Sequence, residues 1–313
     1  MRVGFYGTPE VAASYLSALA QRHEVVATVT QPDRPKGRSG QPAPSPVKQV
    51  ALDLGLRVIQ PEPGQCSAAC REMDAASKDV CVVVAFGQRL PCGVCGCAGG
   101  KALNVHYSLL PKLRGAAPVQ HAILQGLDTT GVTVQFVAAG WDEGDVLLQR
   151  ELAVLPEDTC GSLSERLTAL GVEVLLEALD HIAEGREAPV AQDHSQATFA
   201  PLIAKGDGVI NWSEPAELIA RRVRAFDPWP GTRTTLQGRG LGVIRASAEP
   251  ADCQAEGECG VITEVDPQVG FAVCCAEGLL RVLRVQPEGK RAMSAAEFLR
   301  GARIAVGDHL GDR

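Results

Sequence analysis

The sequence predicts an α/β protein of two domains: a doubly wound, mainly parallel sheet over residues 1–186, a linker at 187–206, and a C-terminal β-barrel over 207–313. Three observations predict it. Up to residue 185, strand-like and helix-like runs alternate, the pattern of a sheet covered by helices. After Gly185 the chain turns to Pro, Gln, Ser and Ala without a period, as a connection does. Beyond Gly208 one amphipathic helix precedes short strands at close spacing with turn residues between them, which points to a small OB-like barrel.

Residues 2–6 form a short apolar strand, and Pro9 stands where a first helical turn tolerates it, opening a helix to about Gln21. Residues 24–30 (EVVATVT) are β-branched and continuous, as a strand covered on both faces requires. A Pro/Gly-rich loop follows, and Ser45 with Pro46 opens the next helix. Residues 80–86 (VCVVVAF) are the clearest buried strand. Residues 102–106 form another and deliver polar groups at its carboxyl end, where open α/β sheets place their ligands. Residues 133–137 and 146–152 read as a strand pair around the turn 139–145, and a long helix from Leu163 to about Glu184 closes the domain. In the second domain the helix spans 214–225, the strands 232–236, 241–246, 260–265, 271–275 and 279–285, and a last helix 294–300.

The composition is that of an ordinary globular chain, with 45% hydrophobic and 21% charged residues. No run of eighteen apolar residues exists, so no membrane span is expected. The start MRVGFYGTPE is broken by Gly7 and Pro9, which reads as a first strand and not a signal peptide, so a cytoplasmic protein is expected. A net charge of -7 requires any nucleic-acid partner to meet a local basic patch. Eleven cysteines include the cluster Cys92, Cys95, Cys97. Its C-x-x-C-x-C spacing invites a metal or redox reading, yet it lacks a partner pair at zinc-finger distance. Small buried hydrophobes and loop thiols are the competing reading.

No P-loop and no G-x-S-x-G elbow is present, and the first strand leads into G-F-Y-G-T-P-E in place of G-x-G-x-x-G. Asp33 still lies where a ribose-binding acid would, which keeps a dinucleotide site open as an alternative. The polar set that stands out is Asn104, His106 and Asp142. Asn104 and His106 are two apart on one strand, so both side chains point to one face. An amide beside an imidazole makes a pair of donors toward an oxygen that gains negative charge. An aspartate nearby orients the imidazole and favours its charged form. Strand-end capping and a turn-forming Asp are the alternatives for the same residues.

The segment 104–115 (NVHYSLLPKLRG) resembles the N-x-H-x-S-L-L-P-x-x-x-G motif of the folate-dependent formyltransferases, and 131–147 (GVTVQFVAAGWDEGDVL) resembles that family's second signature. Residues 1–10, 31–48, 205–212 and 225–231 are similar to the branch of the family that acts on methionyl-tRNA, so the resemblance spans nearly the whole chain. Two positions depart: Ala139 stands where the family usually has an acid, and Trp141 where it usually has leucine.

The resemblance implies transfer of a formyl group from 10-formyltetrahydrofolate to the α-amino group of initiator methionyl-tRNA, with Asn104, His106 and Asp142 catalytic and no metal. It implies a Rossmann-like formyltransferase domain whose folate site runs along Phe86, Gly87 and Gln88 and along Ser108, Leu109, Leu110 and Pro111. It also implies that tRNA is met by Arg34, Lys36 and Arg38 on the loop and by Arg221, Arg222 and Arg224 on one helix. A monomer without membrane partners is expected. Two rivals remain: a formyltransferase acting on a small amine such as a nucleotide-sugar amine, and a non-catalytic folate- or nucleotide-binding protein on the same sheet.

Overall fold

The computed structural model describes residues 1–35, 40–62, 64–74, 76, 78–88, 90, 101–251 and 258–311. Packing separates two compact units: Met1–Pro118, Thr129–Ala153 and Ser164–Ala200 form one, and Val119–Asp128, Val154–Leu163 and Pro201–Arg313 form the other.

The first unit opens with β1 (Arg2–Gly7), α1 (Glu10–Arg22) and β2 (Glu24–Val29). The Pro/Gly loop carries a short antiparallel ribbon, β3 (Arg34–Pro35) on β4 (Pro42–Ala43). Then α2 (Pro46–Asp53) starts at Ser45, whose hydroxyl accepts the Lys48 N–H at 3.0 Å, an N-cap with Pro at the first helical position. Along the chain there follow β5 (Val58–Ile59), α3 (Cys66–Asp74), β6 (Val80–Val84), β7 (Lys101–His106), α4 (Pro118–Leu124), β8 (Thr129–Phe136), β9 (Val146–Ala153) and α5 (Cys160–Ala183), of which α4 from Val119 on and the start of α5 up to Leu163 belong to the second unit. The seven-stranded sheet runs β5-β2-β1-β6-β7-β8-β9, parallel as far as β7 and antiparallel from β7 to β9. The strand order reverses between β1 and β6, and a ligand crevice opens beyond the carboxyl ends of strands at such a point. β6 is buried along its whole length, as its unbroken apolar run requires in a central parallel strand.

Elements differ from their expected places for local reasons. α5 begins at Cys160 and not at Leu163, because the Thr159 hydroxyl accepts the Ser162 N–H and caps the helix early. β5, α3 and α4 are short, with too few residues to show a period.

The second unit contains α6 (Ala216–Ala225), β10 (Thr232–Leu236), β11 (Arg239–Glu249), β12 (Ile262–Asp266), β13 (Gly270–Cys274), β14 (Leu279–Pro287), β15 (Met293–Ser294) and α7 (Ala295–Gly301). The antiparallel order is β10-β11-β14-β13-β12, with β15 on β14. Segment 307–311 joins the two edges. Ile262 N–H donates to Asp308 and Leu310 N–H to Gly260, both at 2.8 Å, while Gly311 N–H donates to Thr235 at 2.9 Å. Both edge strands thereby lose their open hydrogen-bonding rows, and the sheet closes on itself. Ile219 and Val223 of α6 plug a core of Val243, Ile262, Phe271, Leu280, Val282, Val285 and Leu310.

Candidate active site

The site is built at the carboxyl ends of β6 and β7 and on the turn from β8 to β9. Asn104 pairs in register with Gln135 across the β7–β8 ladder, so two amides stand side by side on one face. The turn brings Asp142 to them in a left-handed conformation, φ 53°, which Asp tolerates better than most residues. Gly144 closes the turn, since any side chain there would run into the Phe136 carbonyl.

The Asp142 carboxylate is held by several donors. Oδ1 accepts from Asn104 Nδ2 at 3.3 Å and from Gln135 Nε2 at 3.1 Å, and Oδ2 accepts the Gly115 N–H at 2.9 Å. Oδ2 also faces His106 Nδ1 at 3.6 Å, an ion pair once the ring carries its second proton. The other ring nitrogen, Nε2, lies 2.9 Å from the Leu113 carbonyl. A carbonyl only accepts, so Nε2 carries a proton in either charge state, and any proton His106 exchanges sits on Nδ1.

A second ring of buried groups supports this one. Gln192 Nε2 donates to the Asp142 carbonyl at 2.9 Å and to the Gly144 carbonyl at 2.7 Å, while its Oε1 accepts from Arg114 at 2.6 Å. The buried Arg114 guanidinium also donates to His194 Nδ1 at 3.0 Å, so that nitrogen is bare. Sequence reasoning missed Gln135, Arg114 and Gln192. Gln135 was the readable one, a polar residue inside an apolar strand. Gln192 lies in the stretch expected to be linker, and only the folded chain brings residues 187–200 into the first unit.

Asn104 and Asp142 line a cavity of about 120 Å³ together with Gln88, Val83, Leu90, Phe136 and Val137. Gln88 Oε1 accepts the Cys66 thiol at 2.8 Å. Burial raises the Cys66 thiol above its ordinary value, which keeps it a protonated donor. Gln88 Nε2 is buried and has no hydrogen-bond partner among the described residues, so the cavity offers a donor to a ligand. Of the other expected folate residues, Phe86 packs its ring edge-on against Tyr6 at 5.6 Å, and its carbonyl accepts from Thr8 and Gln31. Gly87 turns the chain away at φ 77°. Ser108, Leu109, Leu110 and Pro111 contribute no wall to this cavity. Ser108 Oγ donates to the Lys112 carbonyl at 2.6 Å, and Leu110 is held by Thr133 and Gln149, so this segment is pinned to β8 and β9.

Arg34 donates to Gln31 at 2.7 Å, which ties the ribbon to the residue holding the Phe86 carbonyl. Lys36 and Arg38 lie outside the described residues, as do Cys92, Cys95 and Cys97. In the second unit the three helical arginines divide. Arg222 turns to Glu214 at 3.0 Å. Arg221 and Arg224 share a groove with Arg245 and Arg284, interleaved with Glu157 and Glu217. Burial lowers the Arg224 guanidinium, with Glu217 and Glu157 acting in the opposite sense. Asp33 is taken up by Lys48 at 2.7 Å and Gln60 at 2.8 Å, which leaves the dinucleotide alternative without its acid. No helix among the described residues is long and apolar enough to cross a membrane.

Two family models match the chain: "Formyl transferase" over residues 1–179 and "Formyl transferase, C-terminal domain" over 202–303. A methionyl-tRNA formyltransferase of Roseiflexus castenholzii is 42% identical over 313 residues, covering 99% of each chain. That of Myxococcus xanthus is 43% identical over 306 residues, covering 98% of this chain and 96% of its own. HypX from Aquifex aeolicus, solved in complex with tetrahydrofolic acid, shares the fold with a TM-score of 0.65 at 17% identity, covering 100% of this chain and 51% of that one. Matched in both its parts by formyl transferase models and end to end by these relatives, the chain belongs to the methionyl-tRNA formyltransferase family.

Proposed function

We propose that Asn104, His106 and Asp142 carry formyl transfer from 10-formyltetrahydrofolate to the α-amino group of initiator methionyl-tRNA, in the cytoplasm. The observation that carries this reading is an amide, an imidazole and a carboxylate meeting at a cavity with an unpartnered amide donor. At about 120 Å³ the cavity takes a ring-sized part of a ligand, below the usual 300–1,000 Å³ of a whole ligand site. Gln88 Nε2 and the apolar walls Val83, Leu90 and Val137 suit a heterocycle with acceptors on its edge. The folate co-substrate supplies a formyl carbon already open to attack by an amine. Asn104 Nδ2 keeps one hydrogen on Asp142 and has a second for the oxygen that gains charge as the amine adds. Loss of one such donor costs about 3–4 kcal/mol. His106 takes on Nδ1 the proton that the amine loses and returns it to the folate nitrogen as that nitrogen's bond to the formyl carbon breaks, because Nε2 is committed to Leu113. Asp142 fixes that proton in place and balances the imidazolium.

On this reading residues 1–186 hold the chemistry and 207–313 the RNA-binding barrel. Arg34, Lys36 and Arg38 approach the acceptor end, and the groove of Arg221 and Arg224 takes phosphates. Arg222, paired with Glu214, contributes least. One chain carries every group the mechanism uses, which supports a monomer.

The test is formyl transfer by the purified chain onto charged initiator tRNA, against nucleotide-linked amino sugars. Turnover on methionyl-tRNA is expected. Turnover on the sugar amine alone would replace the tRNA reading, and chelator-sensitive activity restored by zinc would overturn the metal-free chemistry.

A further inference from the structure

Trp141 is 65% exposed, beside the carboxylate that closes the site. Its indole offers solvent a flat apolar face with a polar edge. Trp141 lines the same cavity as Asn104 and Gln88, together with the exposed Ala138 and Ala139. In the same lining Val83 is buried and Leu90 half-buried, and the Gln88 amide nitrogen is without a partner among the described residues. A ring that needs hydrogen bonds belongs there. A ring that needs only a flat apolar surface belongs on Trp141.

We infer that Trp141 is a stacking platform for the terminal nucleobase of the aminoacylated 3′ end, and so sets the position of the amine over Asp142. This rests on the reading of Asn104, His106 and Asp142 as the formyl-transfer site. The amine and the terminal base of an aminoacylated tRNA are joined through one ester and one ribose. An amine delivered beside Asp142 therefore carries its base to the rim, where Trp141 is the next residue in the chain. Stacking of a base on an aromatic side chain tolerates any base and needs no hydrogen bond, which fits an indole that makes none among the described residues. Glu143, after Asp142, turns its carboxylate to Arg114 at 3.8 Å.

The experiment uses the full chain with Trp141→Leu and Trp141→Phe, and methionyl-tRNA with either an intact or an abasic terminal nucleotide. An exposed side chain contributes little to the core, so both variants fold, and circular dichroism checks this. Trp141→Leu is expected to raise KM for intact methionyl-tRNA about tenfold, in the range of single-base stacking, and to raise it more than KM for the folate. Trp141→Phe restores most of the loss. Removing the terminal base raises KM for the wild type by a similar factor and leaves Trp141→Leu unaffected, because the two changes delete one contact. Binding is read independently by fluorescence, since Trp141 is the one tryptophan outside residues 201–313, the others being Trp212 and Trp229. An unchanged KM for tRNA overturns the inference, as does a rise confined to the folate or a fall in kcat alone. Failure of the underlying reading looks different: the wild type then leaves methionyl-tRNA unformylated.

Discussion

Asp142 is the residue on which the site converges, because two amides, one backbone N–H and one imidazole all address its carboxylate. On the proposed reading, a group so restrained would enter the reaction already oriented, which is where preorganised electrostatics gain their effect. Asn104→Ala, His106→Ala and Asp142→Ala are each expected to lower kcat by at least about a hundredfold. Asp142→Asn keeps the size and loses the charge that balances Nδ1, and near-normal turnover in that variant would remove the ion pair from the mechanism. Asn104, His106 and Asp142 were legible in the sequence because strand alternation and a Gly-flanked turn reveal a shared face and a close approach. Which nitrogen of His106 is free was not legible. That depends on the Leu113 carbonyl, placed by a loop whose course no periodicity encodes.

At the scale of elements, the barrel depends on charged contacts between strands as well as on its core. Arg281 on β14 donates to Glu249 on β11 at 3.0 and 2.9 Å, and to Glu264 on β12 at 2.6 Å. The hydrogen bond from Arg281 holds the Glu264 carboxyl below its ordinary value. A depressed folded value means that the stabilisation is full above the unfolded Glu value of about 4.3 and is lost as pH falls through the folded value below it. Urea melts of wild type and Glu264→Gln are therefore expected to differ at pH 7 and to converge in acid, once the pH is below the folded value. A difference that persists in acid would assign the effect to packing. The β-branched runs of β2 and β6 and the turn-separated strands of the barrel could be read directly. The ribbon β3–β4 could not, since two-residue strands carry no alternation, and neither could the closing segment 307–311, whose pairing partners lie far away in sequence.

For the molecule as a whole, the division of the chain matters more than its length suggests. A fragment ending at Gly185 keeps Asn104, His106 and Asp142 but lacks Gln192, which holds the backbone of Asp142 and Gly144 and the side chain of Arg114. Fragment 1–200 is expected to bind tetrahydrofolate more tightly than fragment 1–185. Equal affinity in a titration would place the functional boundary at 186, where composition alone puts it. Neither unit can be excised by one cut, because residues 119–128 and 154–163 belong to the second unit while their neighbours in sequence belong to the first. Within that second unit the Gly161 N–H donates to the Asp227 carbonyl and Arg224 to the Asp158 carbonyl. A hybrid joined near residue 200 would set one parent's 154–163 against the other parent's α6. The chain passes between the units five times, so a hybrid of two relatives joined at any single crossing leaves at least one unit assembled from both parents.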